Sequence, residues 1–215
     1  MTIDPASSTA VRLAAAGVAY APEIAAAARR HGIDPSLLAA VAAQETGGPG
    51  ANAGRNVVGD GGHGHGLFQI DDRSHAFAES QQASDPAANA DYAAGMLSSL
   101  MARYGNLRQA LSAYNTGQPN AIGTQTRWPD GERLAYADSV LKHYDAISAM
   151  TEPQSLLASA QAELPSLTAS LSTLSSAAAT APTQPPTLPS LPSPDQTYHR
   201  QTTDYSALFA DDDSQ

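Results

Sequence analysis

Hydrophobic residues recur at helical spacing along the first two-thirds of the chain, and one such stripe ends in a carboxyl group. In the segment IDPSLLAAVAAQETGG, Leu38, Val41 and Glu45 fall at i, i+3 and i+7, so they share one face of a helix. Asp34 is a favourable N-cap, and Pro35 suits the first helical position. The pattern therefore predicts a helix that starts at residue 35 and carries Glu45 towards the core.

Three later stripes have the same helical spacing. They are Leu97, Leu100, Met101 and Tyr104; Leu107, Ala110, Leu111 and Tyr114; and Ala137, Val140, Leu141 and Tyr144. Residues 9–30 are also predicted to be helical, with an interruption at Pro22. The longest apolar stretch, LAAAGVAYAP, is too short to span a bilayer. We expect a mainly α fold in which Tyr104 and Tyr144 belong to the core, with a small extended region near the aspartates described below.

The predicted position of Glu45 has chemical consequences. Desolvation disfavours a charged carboxyl, and the negative end of the helix dipole lies nearby, so both effects raise its pKa. A carboxyl group that stays protonated near neutral pH is the proton donor that cleavage of a glycosidic bond requires. Position alone is also compatible with a half-exposed glutamate at the end of a helix.

A glycine-rich segment with three aspartates follows immediately, at residues 47–75. It is too rich in glycine for a helix, and long ordered loops in compact domains are usually functional. Its GLFQID stretch resembles a short strand or an extended edge. A carboxylate there can face Glu45 across a cleft, and two acids on opposite sides of a scissile bond are the usual equipment of glycosidases.

Simpler interpretations exist for parts of this segment. The aspartates could be solvated loop charges, which is the interpretation we favour for Asp72. His63 and His65 could bind a metal, but an H-x-H pair supplies too few ligands, and the chain has no cysteine to complete a set. We therefore expect neither a metal site nor a cofactor.

Charge is distributed unevenly along the 215 residues. Residues 1–150 hold 14 acidic and 10 basic side chains, whereas residues 151–215 hold 7 acidic and 1 basic. Nothing resembles a basic nucleic-acid footprint, so we exclude nucleic acid as a partner. An acidic protein also gains little electrostatic attraction towards anionic surfaces.

The chain changes character after residue 150. Residues 151–178 contain leucines at spacings of three and four, which predicts a short helical segment. Residues 179–215 form a proline-rich linker and an acidic tail, with six prolines between residues 178 and 194. The tail is either a disordered solubilising segment or a peptide that docks on a protein partner. The anchors of such a peptide would be Tyr205, Leu208 and Phe209.

The start of the chain lacks the basic region of a signal peptide, because Asp4 and Pro5 come first. We expect a protein that is made in the cytoplasm and has no membrane span. It would act after release, or be carried in a particle.

Three motifs resemble a known family. ET at 45–46, GLFQI at 66–70 and AYNTG at 113–117 occur in the order found in lysozyme-like lytic transglycosylases. The stretch GDGGHGHGLFQIDDRSH at 59–75 resembles goose-type lysozymes, glycoside hydrolase family 23, more closely still. The resemblance covers about residues 20–150 and implies a 1–150 catalytic domain with the lysozyme-like fold.

The resemblance also implies roles for particular residues. Glu45 matches the family's catalytic acid, and Asp60 and Asp71 match the two aspartates that position the attacking water. The positions that match the saccharide groove or the closing helix beside it are Gln69, His75, Tyr114, Asn115 and Tyr136. Thr46, Phe68 and Thr116 depart mildly from the usual serine, methionine and alanine. The absence of cysteine indicates a bacterial or phage relative.

Three functions are compatible with these observations. The first is a peptidoglycan hydrolase that cleaves between N-acetylmuramic acid and N-acetylglucosamine with inversion. The second is a lytic transglycosylase, in which the muramic 6-hydroxyl replaces water and 1,6-anhydro ends form. The third is a structural or carbohydrate-binding component of a phage tail or injection device. The paired aspartates favour the hydrolase.

Overall fold

The computed structural model describes residues 5–152, and this part of the chain is mainly helical, as the sequence predicts. Its helices are α1 (Pro5–Ala15), α2 (Ala21–His31), α3 (Pro35–Ala42), α4 (Pro86–Tyr104), α5 (Leu107–Thr116) and α6 (Tyr136–Thr151). Its strands are β1 (Val57–Gly59), β2 (Gly64–Gly66), β3 (Ile70–Asp71), β4 (Gln125–Arg127) and β5 (Arg133–Ala135). The predicted helical segment and tail lie beyond residue 152, outside the described residues. In the described range, no helix is long and apolar enough to cross a membrane.

Helix α3 is the central helix of the domain. Asp34 caps it as predicted, with its side chain accepting hydrogen bonds from the backbone N–H groups of Ser36 (2.8 Å) and Leu37 (3.2 Å). All seven residues from Ser36 to Ala42 are buried. A helix that is buried on every side lies in the interior of a domain. Helix α3 is therefore more deeply buried than expected from the single apolar face that the sequence predicted.

The end of this helix is not regular. After Ala42 the chain forms a π-helical turn, Ala43–Gly47, in which the Gly48 N–H reaches the Ala43 carbonyl at 3.0 Å. The sequence predicted an ordinary α-helix through Glu45 and missed this wider turn. Single π turns occur mostly inside or at the ends of α-helices, frequently at functional sites.

The interruption near the start of the chain falls earlier than predicted. Helix α1 ends at Ala15, and α2 resumes at Ala21 with Pro22 inside its first turn. Proline lacks only an N–H group that has no helical partner there, so it starts the helix rather than breaking it. The break lies instead at Gly17 and Tyr20, whose φ values are +83° and +55°.

The three later stripes form helices that contribute to the same core as α3, and of the three only α6 packs extensively on α3 itself. Leu97 of α4, Leu111 of α5 and Val140 of α6 are fully buried, and Tyr144 packs against the core from its edge. Tyr104 does not join the core. It is half-buried at the end of α4, with the Arg103 guanidinium 5.3 Å from the centre of its ring.

The glycine-rich segment contains a small antiparallel sheet in the order β1–β2–β3. Val57 pairs with Gly66, and Gly64 pairs with Asp71. The stretch GLFQID is not one strand. Gly66 ends β2, residues 67–69 form a tight turn, and only Ile70 and Asp71 are extended. The turn requires a positive φ at Gly66 (+78°) and at Gln69 (+48°), which ends the strand pattern that the apolar residues suggested.

Close packing explains why this sheet needs glycine. A Cβ atom at Gly59 or Gly64 would lie 2.2 or 2.5 Å from Oε1 of Gln69, whose side chain crosses both residues. A Cβ atom at Gly66 would lie 2.5 Å from the Ala83 carbonyl oxygen and 2.4 Å from the Asn89 amide. Glycine therefore lets the hairpin lie close to α4 and to its own turn.

Candidate active site

Glu45 is a buried acid that the π turn presents to helix α6. Only 6% of its surface is exposed, which rules out the half-exposed alternative. The phenol hydroxyl of Tyr136, the first residue of α6, donates a 2.7 Å hydrogen bond to Glu45 Oε1. Tyr136 is itself 1% exposed. A carboxyl held in this way is fixed in one orientation and shielded from bulk water.

Two tyrosines connect this acid to the hairpin turn. The rings of Tyr114 and Tyr136 stack with centroids 6.5 Å apart and an angle of 15° between their planes. The Tyr114 hydroxyl lies 3.4 Å from the Phe68 carbonyl oxygen. The C-terminal end of α5, the start of α6 and the turn at residues 67–69 therefore meet beside Glu45.

The hydroxyl of Thr46 joins the π turn to the same hairpin. It lies within hydrogen-bonding distance of the carbonyl oxygens of Ala42 (3.1 Å) and Leu67 (3.2 Å). It also accepts a 2.7 Å hydrogen bond from the Arg55 N–H group. Threonine replaces the family's usual serine here, and the hydroxyl that makes these contacts is retained.

The two predicted aspartates come together on the sheet, and Arg73 holds them there. Arg73 Nη2 lies 2.6 Å from Asp60 Oδ2 and 2.6 Å from Asp71 Oδ2. The Arg73 backbone N–H donates a further 2.8 Å hydrogen bond to Asp71 Oδ1. Asp60 is 8% exposed and has a φ of +49°, a conformation that aspartate tolerates better than most residues. Sequence reasoning missed Arg73, although its position two residues after Asp71 was a usable signal.

The environment of Asp71 favours its charged form. Partial burial raises the pKa of Asp71, and the neighbouring Asp72 acts in the same direction. The hydrogen bonds and positive charge of Arg73 outweigh both, so the net pKa lies below the usual value. Asp71 is thus suited to orient a water molecule as an anion rather than to donate a proton.

The side chains of Gln69 and His75 contact other parts of the protein. Gln69 is 8% exposed, and its Nε2 donates to the carbonyl oxygens of Val57 (3.0 Å) and Gly66 (2.8 Å). His75 Nδ1 lies 3.1 Å from the Tyr92 hydroxyl. Burial lowers the pKa of His75, and the negative charge of Asp71 partly opposes that effect. The predicted sugar contacts of both residues stay predictions.

Asn115 supports the loop that follows α5. Its Oδ1 accepts a 2.9 Å hydrogen bond from the Thr124 N–H, and its Nδ2 lies 3.4 Å from the Thr124 hydroxyl. Gly117 ends α5 in the left-handed conformation, which glycine adopts without steric cost. The predicted sugar contacts of Tyr114, Asn115 and Tyr136 are likewise untested, and Tyr136 lies against Glu45 with almost no exposed surface.

Asp72 is not a free solvated charge, contrary to our expectation. Its two carboxylate oxygens pair with His63 Nδ1 (2.8 Å) and His65 Nε2 (2.9 Å). These hydrogen bonds, that of His65 first, lower the pKa of Asp72. The alternation of glycine and histidine in β2 and the turn before it lets both rings reach one carboxylate. Within residues 5–152, no group of three or more His, Cys, Asp or Glu side chains has a geometry that could hold a metal ion.

A partly buried polar network attaches the β4–β5 hairpin next to Glu45. Ser139 of α6 accepts a 2.9 Å hydrogen bond from Trp128 Nε1 and donates a 2.6 Å bond to Gln44 Oε1. Gln44 Nε2 in turn donates to the Thr126 hydroxyl at 2.9 Å. No local sequence pattern indicates this network, because its members are separated by up to 95 positions.

Asn89 of α4 is a second buried polar anchor that sequence reasoning missed. It is 0% exposed, and its Oδ1 accepts a 2.8 Å hydrogen bond from the Phe68 N–H. Its Nδ2 donates to the carbonyl oxygens of His65 (3.1 Å) and Ala83 (3.0 Å). One amide thus satisfies two backbone groups of the hairpin and one of the turn before α4, and it fixes the hairpin turn beside Glu45.

A family model described as the transglycosylase SLT domain matches residues 22–131. The chain belongs to this family. The match includes Glu45, both aspartates and Arg73, and it ends before Tyr136. None of the curated proteins matches the chain.

Membership makes the domain a lysozyme-like enzyme that acts on glycosidic bonds of peptidoglycan strands. The fold agrees, since the described part is helical with small sheets. The family assignment leaves two chemistries open for the SLT domain, attack by water or attack by the substrate's own hydroxyl.

Proposed function

We propose that this protein is a peptidoglycan hydrolase that cleaves the β-1,4 bond between N-acetylmuramic acid and N-acetylglucosamine. Glu45 donates a proton to the leaving oxygen while the glycosidic bond breaks. Asp60 and Asp71 hold a water molecule whose oxygen attacks the anomeric carbon from the opposite face, so the anomer is inverted. The protein reaches the wall after release or as part of a phage or injection particle.

The main observation in support of the proposal is that the candidate acid, Glu45, and the candidate water-positioning residue Asp71 lie in different environments. Glu45 is 6% exposed and accepts a hydrogen bond from a buried phenol, whereas Asp71 lies beside a cation that keeps it ionised. A glycosidase needs one carboxyl that gives a proton and another that stays charged. Both groups lie on segments that meet at the turn of residues 67–69, through Thr46 on one side and β3 on the other.

The family match favours a second candidate, a lytic transglycosylase. In that reaction Glu45 first protonates the leaving oxygen. Its carboxylate then takes the proton from the muramic 6-hydroxyl as that oxygen bonds to the anomeric carbon. No water is consumed, and the product is a 1,6-anhydro end. The SLT description and the buried position of Glu45 support this route.

Product analysis separates the two reactions. Purified peptidoglycan is digested with the wild-type protein, treated with borohydride and analysed by mass spectrometry. Hydrolysis leaves reducing ends that borohydride converts to alditols, whereas anhydro ends are not reduced. We expect mainly alditol ends, with Glu45→Gln as the blank. Products carrying only anhydro ends would contradict the hydrolase proposal and support the transglycosylase.

A further inference from the structure

Arg73 makes a forked contact with the two aspartates rather than a simple surface ion pair. Its Nη2 lies 2.6 Å from one oxygen of Asp60 and 2.6 Å from one oxygen of Asp71. Its Nε lies 3.0 and 3.2 Å from the two oxygens of Asp71. Arginine can form such a fork because its donors are coplanar, whereas lysine offers only a point charge.

This contact decides whether the two carboxylates can be ionised side by side. Two oxygens that each lie 2.6 Å from one nitrogen are at most about 5.2 Å apart. Without a cation, carboxylates at that distance repel each other, and one of them is driven to bind a proton. Asp60 is also nearly buried, and a buried charge needs a partner.

Hydrolysis and transglycosylation depend on these aspartates to different extents. In hydrolysis, the water oxygen bonds to the anomeric carbon, the leaving oxygen takes the proton of Glu45, and a water proton passes to the aspartates or to solvent. In transglycosylation, the attacking 6-hydroxyl belongs to the substrate and returns its proton to Glu45. Only the first reaction needs a water held in place by ionised Asp60 and Asp71.

We therefore infer that Arg73 is the positioning residue that directs the cleavage reaction towards attack by water. It does so by holding Asp60 and Asp71 together as a charged pair. This inference rests on the proposed function and adds to it the residue that selects between the two products. Arg73 itself touches no reacting atom in this scheme. Its effect is exerted through the two carboxylates.

The test compares Arg73→Ala with a matched arginine variant, Arg30→Ala. Both side chains are about half exposed, 44% for Arg73 and 48% for Arg30, and both pair with aspartate, but Arg30 pairs with Asp91 of α4. Full-length proteins digest purified peptidoglycan, and reducing and anhydro ends are counted separately. Urea unfolding of each variant shows whether the domain has stayed folded.

We expect Arg73→Ala to release reducing ends at least tenfold more slowly and to raise the share of anhydro ends. Arg30→Ala should match the wild type. Arg73→Lys should fall between, since it keeps the charge but loses the fork. The acid limb of hydrolysis should also move to higher pH in Arg73→Ala, because Asp71, which also faces Asp72 and His75, loses the cation that lowers its pKa.

The outcomes separate this inference from the proposed function. If the wild type makes reducing ends and Arg73→Ala keeps both the rate and the product ratio, the positioning role is wrong and the hydrolase stands. An equal fall in both products at an unchanged ratio also overturns it, since that is what a merely structural residue would cause. If the wild type makes only anhydro ends, the hydrolase fails, and this inference fails with it.

Discussion

The carboxyl of Glu45 is oriented by a phenol that lies 91 positions away in the sequence. Both side chains are buried, so little water competes for the 2.7 Å hydrogen bond between them. Hydrogen bonds of this kind are stronger when one partner is charged. The same contact restricts the directions in which the acid can deliver its proton. We therefore expect Tyr136 to influence the reactivity of Glu45 through this hydrogen bond.

Replacing Tyr136 with phenylalanine removes only the hydroxyl group and so tests whether that group acts on Glu45. We expect kcat/KM for peptidoglycan cleavage to fall about 10- to 100-fold, because the bond from Tyr136 strengthens as Glu45 gives up its proton and becomes charged, and a hydrogen bond to a charged group contributes about 1.5–3 kcal/mol. The free energy of unfolding should change far less than this loss of activity. Tyr144→Phe, two turns later on α6, is the control. Equal rates for the two variants would show that the Tyr136 hydroxyl does not act on Glu45.

The sequence predicted the burial of Glu45 but not the contacts that orient it. Burial follows from a local period, since Leu38, Val41 and Glu45 repeat on one helical face. The hydrogen bond from Tyr136 and the fork of Arg73 depend on how separate segments fold against each other. Local patterns carry no information on such pairs, although the family resemblance brought Asp60 and Asp71 into the site as candidates.

At the scale of elements, the hairpin of β1–β3 and helix α6 position the site. The hairpin packs so closely that α4 leaves no room for a side chain at Gly66. Helix α6 contacts the segment before Glu45 through Ser139 and carries His143 one turn further on. The sequence predicted the helix α6 correctly. It wrongly predicted that GLFQID is one extended segment, because apolar residues occur both in its turn and in its strand.

Gly66→Ala should destabilise the domain more than Gly105→Ala does. Both glycines have positive φ, +78° and +62°, so both variants lose about 1 kcal/mol or more to backbone strain. Only at Gly66 would the new Cβ atom also meet the Ala83 carbonyl oxygen and the Asn89 amide. Urea unfolding measures the difference. Equal losses would mean that the hairpin can move away from α4 without cost.

His143 should make the stability of the domain depend on pH. Burial lowers its pKa from 6.5 to about 4, although a hydrogen bond with the Ala51 backbone opposes the shift. The unfolded chain therefore binds a proton between pH 6.5 and about 4 that the folded domain does not bind, so stability falls as pH falls through that window. The loss is on the order of 3 kcal/mol at most, at 1.36 kcal/mol per pKa unit.

The variant His143→Asn removes this titration and keeps an amide that can donate to Ala51. We expect the free energy of unfolding to vary less with pH between 7 and 4 than it does in the wild type, even if the variant is less stable at pH 7. His75, whose pKa burial also lowers, is common to both proteins and contributes to the remaining slope, together with aspartates of lowered pKa such as Asp71 and Asp91. An unchanged pH dependence in His143→Asn would assign the effect to other groups.

At the scale of the whole molecule, catalysis and recruitment are predicted to reside in different parts of the chain. The residues to which we assign a chemical role, of which Glu45 is the first and Tyr136 the last, all lie within residues 5–152. All of them except Tyr136 also lie within the family match at 22–131. The remaining residues have a composition rich in proline and acid, with Tyr205, Leu208 and Phe209 near the end. The net charge of −10 gives little attraction to an anionic wall, which leaves a role for a docking segment.

Removal of residues 180–215 should leave cleavage of soluble peptidoglycan fragments nearly unchanged, because this segment supplies no residue of the candidate site. Co-purification from the native source tests docking with the full chain. A triple alanine variant of Tyr205, Leu208 and Phe209 should lose its partner, in a salt-sensitive manner. If the full chain and the triple alanine variant recover partners equally, the tail is a solubilising segment. Slower cleavage by the truncated protein would contradict the prediction that catalysis and recruitment reside in different parts of the chain.

The measurement that tests the central claim most directly is the rate of peptidoglycan cleavage by Glu45→Gln, with Glu79→Gln as the matched control at an exposed position. Loss of the proton donor should slow cleavage by about 100- to 10,000-fold while the unfolding curve stays close to that of the wild type. Glu79→Gln should cleave at the wild-type rate. A folded Glu45→Gln protein that cleaves peptidoglycan at a near-normal rate would contradict the assignment of Glu45 as the acid.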